Sequence, residues 1–377
     1  MSEAPAQGPA PERLPVSVIT GFLGSGKTTL LRHLLAHPAM GETAVIINEF
    51  GEVGLDHLLV ESAQDDTVLL SSGCLCCTVR GDLIEAMRRL FKRRHKGEIP
   101  AFRRLVIETT GLADPAPILH TLMQDPVLTQ VYRLDGVIAT IDAVNGAAQM
   151  DRQMEPVKQA AVADRLLLTK CDLAAPPALA ALEARLRRLN PAAPIERVTH
   201  GKIEPELLFN AGLYNPETKS LDVQRWLRDE AYAAQLAEGH DHGHHSHDHG
   251  HAHHDHPLDV NRHDEHIRAF CVTRDVPLDW ERFCAWVDML TTTRGPDLLR
   301  IKGLLNVAGE AQPVAIHGVQ HLFHPPVLLP AWPDADRRSK LVLITRDIGP
   351  ETIRESLDAF LSDDSAPAGP GIRSGAA

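Results

Sequence analysis

The apolar positions of this chain come first in short, unbroken runs. "VSVIT" (16–20), "TAVIIN" (43–48), "RRLVIE" (103–108), "GVIATID" (136–142) and "DRLLLTK" (164–170) are bounded by Gly, Asp or Asn. Continuous rather than alternating hydrophobicity over so few residues predicts strands covered on both faces, as in a parallel sheet. Between them, "TTLLRHLLAH" and "PPALAALEARLRRLN" carry apolar residues at helical spacing. This alternation predicts an α/β, doubly wound, mostly parallel sheet over residues 15–212.

After Leu221 the pattern changes. A helical stretch, "LDVQRWLRDEAYAAQLAE", runs into "GHDHGHHSHDHGHAHHDH", which has no apolar residue larger than alanine. Such a tract cannot bury anything, so residues 213–262 are expected to form a linker, with a histidine tract at 240–256 that is disordered without a ligand. Beyond it, "HIRAFCVTR", "LLRIKGLLNVA", "QPVAIHGVQHLF" and "SKLVLITR" read as strands, and "LDWERFCAWVDMLTTT" and "PETIRESLDAFLS" as helices. They predict a smaller α+β domain over 263–362. Residues 1–14 and 363–377 are expected to be disordered tails.

Composition narrows the function. A net charge of −12 leaves no basic surplus to neutralise phosphates, which excludes a nucleic-acid partner. No apolar run approaches the ~18 residues of a membrane span. The opening "MSEAPAQGPAPERLP" has the pattern of neither a signal nor a transit peptide, so a cytoplasmic chain is expected. Of six cysteines, three fall at Cys74, Cys76 and Cys77, a spacing that suits metal binding or catalysis rather than a disulfide framework. Histidine is in excess: 21 residues, ten of them between His240 and His256.

The strongest motif is "GFLGSGKTT", in which Gly21, Gly26, Lys27 and Thr28 satisfy G-x-x-x-x-G-K-[ST] between a strand and a helix. Gly21, Gly24, Ser25 and Gly26 let successive N–H groups face phosphates, Lys27 reaches the β- and γ-phosphates, and Thr28, followed by Thr29, supplies an oxygen to Mg²⁺. Two partners are expected downstream. Glu108 ends an apolar strand where a carboxylate would bind Mg²⁺ through water, and Gly111 would meet the γ-phosphate by its N–H. Thr169, Lys170 and Asp172 form a base-reading loop: a carboxylate at 172 accepts from N1–H and the 2-amino group of guanine, which adenine cannot offer. That favours GTP over ATP, although such loops usually begin with Asn.

The thiolates of Cys74, Cys76 and Cys77 are soft ligands that suit Zn²⁺ or Cu(I) better than Mg²⁺. Three ligands leave a coordination position open, as a site that releases its metal requires. Glu49, with Glu52 and Asp56, lies in the place of a first switch loop and is a candidate additional ligand. "TGLADP", with Asp114, reads as a second switch. The tract of His240, His242, His244, His245, His247, His249, His251, His253, His254 and His256 would bind Zn²⁺ or Ni²⁺ weakly and in a pH-dependent way, and could equally be a solubilising linker. His33, His37, His57, His95, His120 and His200 read as surface or helix residues, not ligands.

In order, "GFLGSGKTTLL", "NEFGEVGLD", "GCLCC", "LVIETTGLADP", "DGVIATIDA" and "LLTKCDL" resemble the CobW family of P-loop GTPases. "LLRIKGLLNVAGEAQPVAIHGVQHLF" resembles that family's C-terminal domain. The resemblance implies a metallochaperone that passes metal from Cys74, Cys76 and Cys77 to a client apo-metalloprotein as GTP is hydrolysed. It also implies a glutamate in the place of Glu108, while the metal delivered differs between subfamilies that share these motifs. Zn²⁺ is the expected metal, with Ni²⁺ or Co²⁺ as alternatives, and a nucleotide-dependent homodimer is expected as well. Intrinsic turnover is expected to be slow, with no catalytic base named. Two other classes stay open: a zinc or nickel buffer tuned by nucleotide, and a P-loop kinase for a small molecule.

Overall fold

The structure is a computed structural model that describes residues 13–48, 68–72, 79–209 and 266–362. Seven strands make the first sheet: β1 (Leu14–Gly21), β2 (Thr43–Asn48), β3 (Val68–Ser72), β4 (Arg104–Glu108), β5 (Tyr132–Asp142), β6 (Arg165–Thr169) and β7 (Ile195–Val198). Their order is β3-β2-β4-β1-β5-β6-β7, and every pair is parallel. The helices of this half are α1 (Lys27–Leu35), α2 (Val79–His95), α3 (Ala116–Gln124), α4 (Leu128–Val131), α5 (Gly146–Arg152), α6 (Met154–Val162) and α7 (Pro176–Leu189).

Burial explains the continuous runs. Neighbours on a strand face opposite sides of the sheet, and here both sides are dry. Ile19 packs with Leu30 and Leu34 of α1, whereas Val18 packs with Met87 of α2 and Leu119 of α3. Two strands were not foreseen. "VLLSS" and "IERV" occupy the two edges of the sheet; in "IERV" only Val198 is buried, and a strand with two charged residues in four carries little apolar signal.

The second sheet is antiparallel, in the order β11-β10-β9-β13-β8, with β12 paired to β10. Its strands are β8 (Ile267–Arg274), β9 (Leu298–Leu305), β10 (Val314–Val319), β11 (Leu322–Phe323), β12 (Val327–Leu328) and β13 (Ser339–Arg346). The expected single strand "QPVAIHGVQHLF" is in fact a hairpin: Gln320 sits at φ 55° and turns the chain between β10 and β11. Two helices, α8 (Trp280–Arg294) and α9 (Pro350–Ser362), cover one face through Phe283, Trp286, Ile353 and Leu357. The opposite face presents Ala269, Leu299, Val342 and Ile344 to α6 and α7 of the first half, in one shared core.

At that seam lies a buried ion cluster. Asp164, just before β6, accepts from the Arg300 guanidinium and from Lys302 Nζ at 2.8 Å. Both cations come from β9, on alternate residues and hence the same face. Asp164 also accepts the Val137 N–H at 2.9 Å, and Arg300 donates to the Val162 carbonyl at the end of α6. Burial opposes the Asp164 charge, yet Arg300 and Lys302 outweigh it and hold the carboxyl well below the usual range. The buried His317 alongside is kept neutral by desolvation and by the same two cations.

Removing one member of a buried pair leaves an uncompensated charge, so Asp164→Ala is expected to cost about 3–5 kcal/mol in a denaturation experiment. Because the folded pKa is depressed, the native contribution is complete above the pKa of an unfolded aspartate, about 4. It is lost as pH falls below that value towards the folded pKa. The difference between melts of native protein and variant should therefore hold from pH 7 to about 4 and only begin to narrow by pH 3.

Candidate functional site

The loops that leave the carboxyl ends of β1, β4, β5 and β6 meet at one edge of the sheet, where open α/β folds bind ligands. β1 ends at Gly21, at φ 142°, and a Cβ there would lie 2.2 Å from Thr140 Oγ1 on β5. No residue larger than glycine fits. The chain then turns (Ser25 N–H to Phe22 O, 3.1 Å) and enters α1 at Lys27. The Ser25 and Thr140 hydroxyls lie 2.6 Å apart beneath the loop. Lys27 Nζ donates to the Gly21 carbonyl at 2.7 Å and to Phe22 at 3.2 Å, so its ammonium lies inside the loop's concavity. With the α1 N-terminus behind it, this is a cradle for phosphate anions.

Parallel register sets Ile19 of β1 beside Glu108 of β4, which brings the glutamate to the first turn of α1. Thr28 Oγ1 donates to Glu108 Oε1 at 3.3 Å, and Glu108 is only 5% exposed. Two hard oxygens this close suit Mg²⁺, which takes one or two protein ligands and keeps several waters. Thr28 and Glu108 would hold the ion, and it would neutralise phosphate charge.

Past Glu108 the chain is stitched to β1 by Thr109, whose N–H reaches the Ile19 carbonyl (2.9 Å) and whose hydroxyl reaches that of Thr20 (3.0 Å). Gly111 follows, pressed against the P-loop: a Cβ on it would lie 2.7 Å from Leu23 N. The sequence-predicted Gly21, Lys27, Thr28, Glu108 and Gly111 therefore converge.

Thr169 closes β6. Its hydroxyl donates to the Ser25 carbonyl at 2.7 Å and to Ile141 O at 3.3 Å, tying the base loop to the P-loop. That is a physical role for the unusual threonine. Lys170 adopts φ 57°, and its Nζ donates to Asp142 at 2.7 Å. Burial disfavours the Asp142 charge, but Lys170, Asn145 and two backbone N–H groups overcome this and lower its pKa. Asp172 lies on the rim, 32% exposed, with His200 Nε2 4.0 Å from its carboxylate.

The thiols Cys74, Cys76 and Cys77, the candidate ligand Glu49, and the tract His240 to His256 all lie outside the described residues. Among the described residues no group of three or more His, Cys, Asp or Glu side chains could hold a metal ion. Burial raises the Cys171 thiol, and burial with Asp288 and Glu281 pushes Cys284 up to about 11. His120, read as a plain helix residue, is buried and stacks edge-on against His321 in the turn between β10 and β11, with ring centroids 4.3 Å apart.

Residues 15–197 match the CobW/HypB/UreG nucleotide-binding domain, and residues 267–361 match the C-terminal domain of the cobalamin synthesis protein cobW. The chain belongs to the CobW family. Within that family it is 36% identical to the zinc chaperone YjiA of Escherichia coli over 342 residues, 90% of this chain and 96% of that protein. The crystal structure of zinc-bound YjiA GTPase matches with a TM-score of 0.67 and 32% identity, over 93% of this chain and 99% of that one. Zinc-regulated GTPase metalloprotein activator 1 of Schizosaccharomyces pombe is 35% identical over 223 residues, 56% of this chain and 53% of that protein. No helix among the described residues is long and apolar enough to cross a membrane.

Sequence reasoning passed over Thr109, Thr140 and Asp142. Asp142 carried a signal, as an acid closing the apolar run "GVIATID". The hydroxyls of Thr109 and Thr140 are indistinguishable by sequence from any strand threonine.

Thr169→Val keeps the shape of the side chain and leaves the buried Ser25 carbonyl without its donor, a loss of about 1–3 kcal/mol. Thr169→Ser should restore most of it, as read by thermal denaturation of the three proteins.

Proposed function

We propose that the protein is a GTP-hydrolysing zinc chaperone that passes Zn²⁺ to a client metalloprotein. The observation that carries the GTPase half is the convergence of Lys27, Thr28, Glu108 and Gly111 on one phosphate cradle. The chaperone half is supported by the relatives, which are named zinc chaperones and zinc-regulated activators.

In this reading the P-loop amides and Lys27 hold the β- and γ-phosphates, and the lysine exchanges its two loop carbonyls for phosphate oxygens. Gly111 offers its N–H to the γ-phosphate. Asp172 accepts from the guanine N1–H and 2-amino group, while Asp142 fixes Lys170 so that its stem lies over the base. The metal cargo sits on Cys74, Cys76 and Cys77. Coupling of about 3 kcal/mol between nucleotide and metal would change metal affinity by more than a hundredfold, enough to make transfer directional. The client, a homodimer formed in one nucleotide state and the contribution of the histidine tract belong to the same proposal.

GTP turnover measured during a Zn²⁺ titration should show a stoichiometric shift in native protein, and Cys76→Ala should abolish that shift. Turnover indifferent to zinc in both would instead favour a buffer that stores metal on the histidines.

Base recognition has its own test. In Asp172→Asn the amide can donate to the 2-oxo group of xanthine while accepting from N1–H. GTP affinity should fall by about 10²-fold or more, as expected when a buried hydrogen-bonding site is mispaired, and XTP affinity should rise. Competition binding with the two triphosphates reads both.

A further inference from the structure

Behind the loop that carries Gly111 stands a side chain with no role in the reading above. Gln159, on α6, is 1% exposed, and its Nε2 donates to the carbonyls of both Gly111 (3.3 Å) and Ala113 (3.0 Å). Two carbonyl acceptors on one side fix which end of the amide faces the loop. The other end, Oε1, is buried without a hydrogen-bond partner. One residue earlier, Lys158 Nζ meets Asp114 Oδ2 at 3.1 Å, so two consecutive side chains of α6 grip residues 111–114. The front of the loop is closed by Leu23 of the P-loop, against which Gly111 leaves no room for a Cβ. The helix itself is anchored at its far end. Asn190 Nδ2 donates to the carbonyls of Ala160, Ala161 and Ala163, at 2.8–3.1 Å, and Arg300 donates to Val162 O.

From this arrangement we infer that Gln159 is a positioning residue for the nucleotide reaction: it holds the Gly111–Leu112 and Ala113–Asp114 peptides, fixes the backbone of Gly111 from its carbonyl side, and so decides how well the Gly111 N–H can distinguish GTP from GDP. The inference rests on the reading of Gly111 as the contact to the γ-phosphate.

A glutamine suits this place better than a lysine or a leucine. Its amide nitrogen satisfies two loop carbonyls that would otherwise be left without a donor.

The experiment is equilibrium binding of GDP and of a non-hydrolysable GTP analogue to the full chain with Mg²⁺, for native protein, Gln159→Met and Lys158→Gln. Methionine keeps the length and most of the volume while removing both polar atoms. The expected result for Gln159→Met is GDP affinity within about twofold of native, and analogue affinity weakened about tenfold, the effect of about one lost hydrogen bond. Lys158→Gln changes a half-exposed pair and should move discrimination the same way by about two- to threefold. It carries the test if the methionine variant fails to fold. Turnover should fall in kcat/KM with little change in GDP inhibition. Equal weakening of both ligands, or no change in either, would overturn the inference and reduce Gln159 to a packing residue. If native protein binds neither nucleotide, the nucleotide reading itself fails, and the inference with it.

Discussion

The site depends on parallel register around one central strand. β1 has β4 on one side and β5 on the other, with Ile19 level with Glu108 and Gly21 level with Thr140. A slip of one residue in either ladder would turn every side chain to the opposite face. Glu108 would leave Thr28, and the threonine that excludes anything but glycine at position 21 would move away. The dry packing on both faces resists such a slip, because Val18 and Ile19 are each committed to a different core. A hydrophobic constraint thereby holds polar chemistry in place at the strand ends.

Much of this could be read from the sequence, for a physical reason. A parallel sheet buried on both faces writes itself as unbroken apolar runs, and a phosphate loop needs glycine, lysine and threonine at fixed offsets. The residues that tune these parts left little trace. Gln159 sits in "MEPVKQAAV" as one polar residue in a small helix, and its importance comes from Gly111 and Ala113, some 46 to 48 positions away. Arg300 and Lys302 look like ordinary exposed positions of a strand until Asp164 of the other half closes over them. Contacts of that range are visible only once the chain is folded. The hairpin at Gln320 escaped for a local reason: a non-glycine residue with positive φ gives no composition signal.

Thr169 corrects an expectation of a different kind. Judged by residue type, it weakened the match to a guanine loop. Judged by its bonds, it ties β6 to Ser25 across the phosphate loop, with a hydroxyl short enough to reach from a strand end. The loop after β6 and the P-loop are thus one hydrogen-bonded unit, and Lys170 and Asp142 extend it toward the rim.

The helix α6 is nine residues long, about 13 Å from end to end. Near its middle it holds the loop of Gly111, and its last carbonyl rests on Arg300 of the second sheet. A lever so short and so firmly seated has almost no slack. Any partner that shifts the antiparallel sheet by an ångström moves the footing on which the loop stands, before a single nucleotide contact is touched.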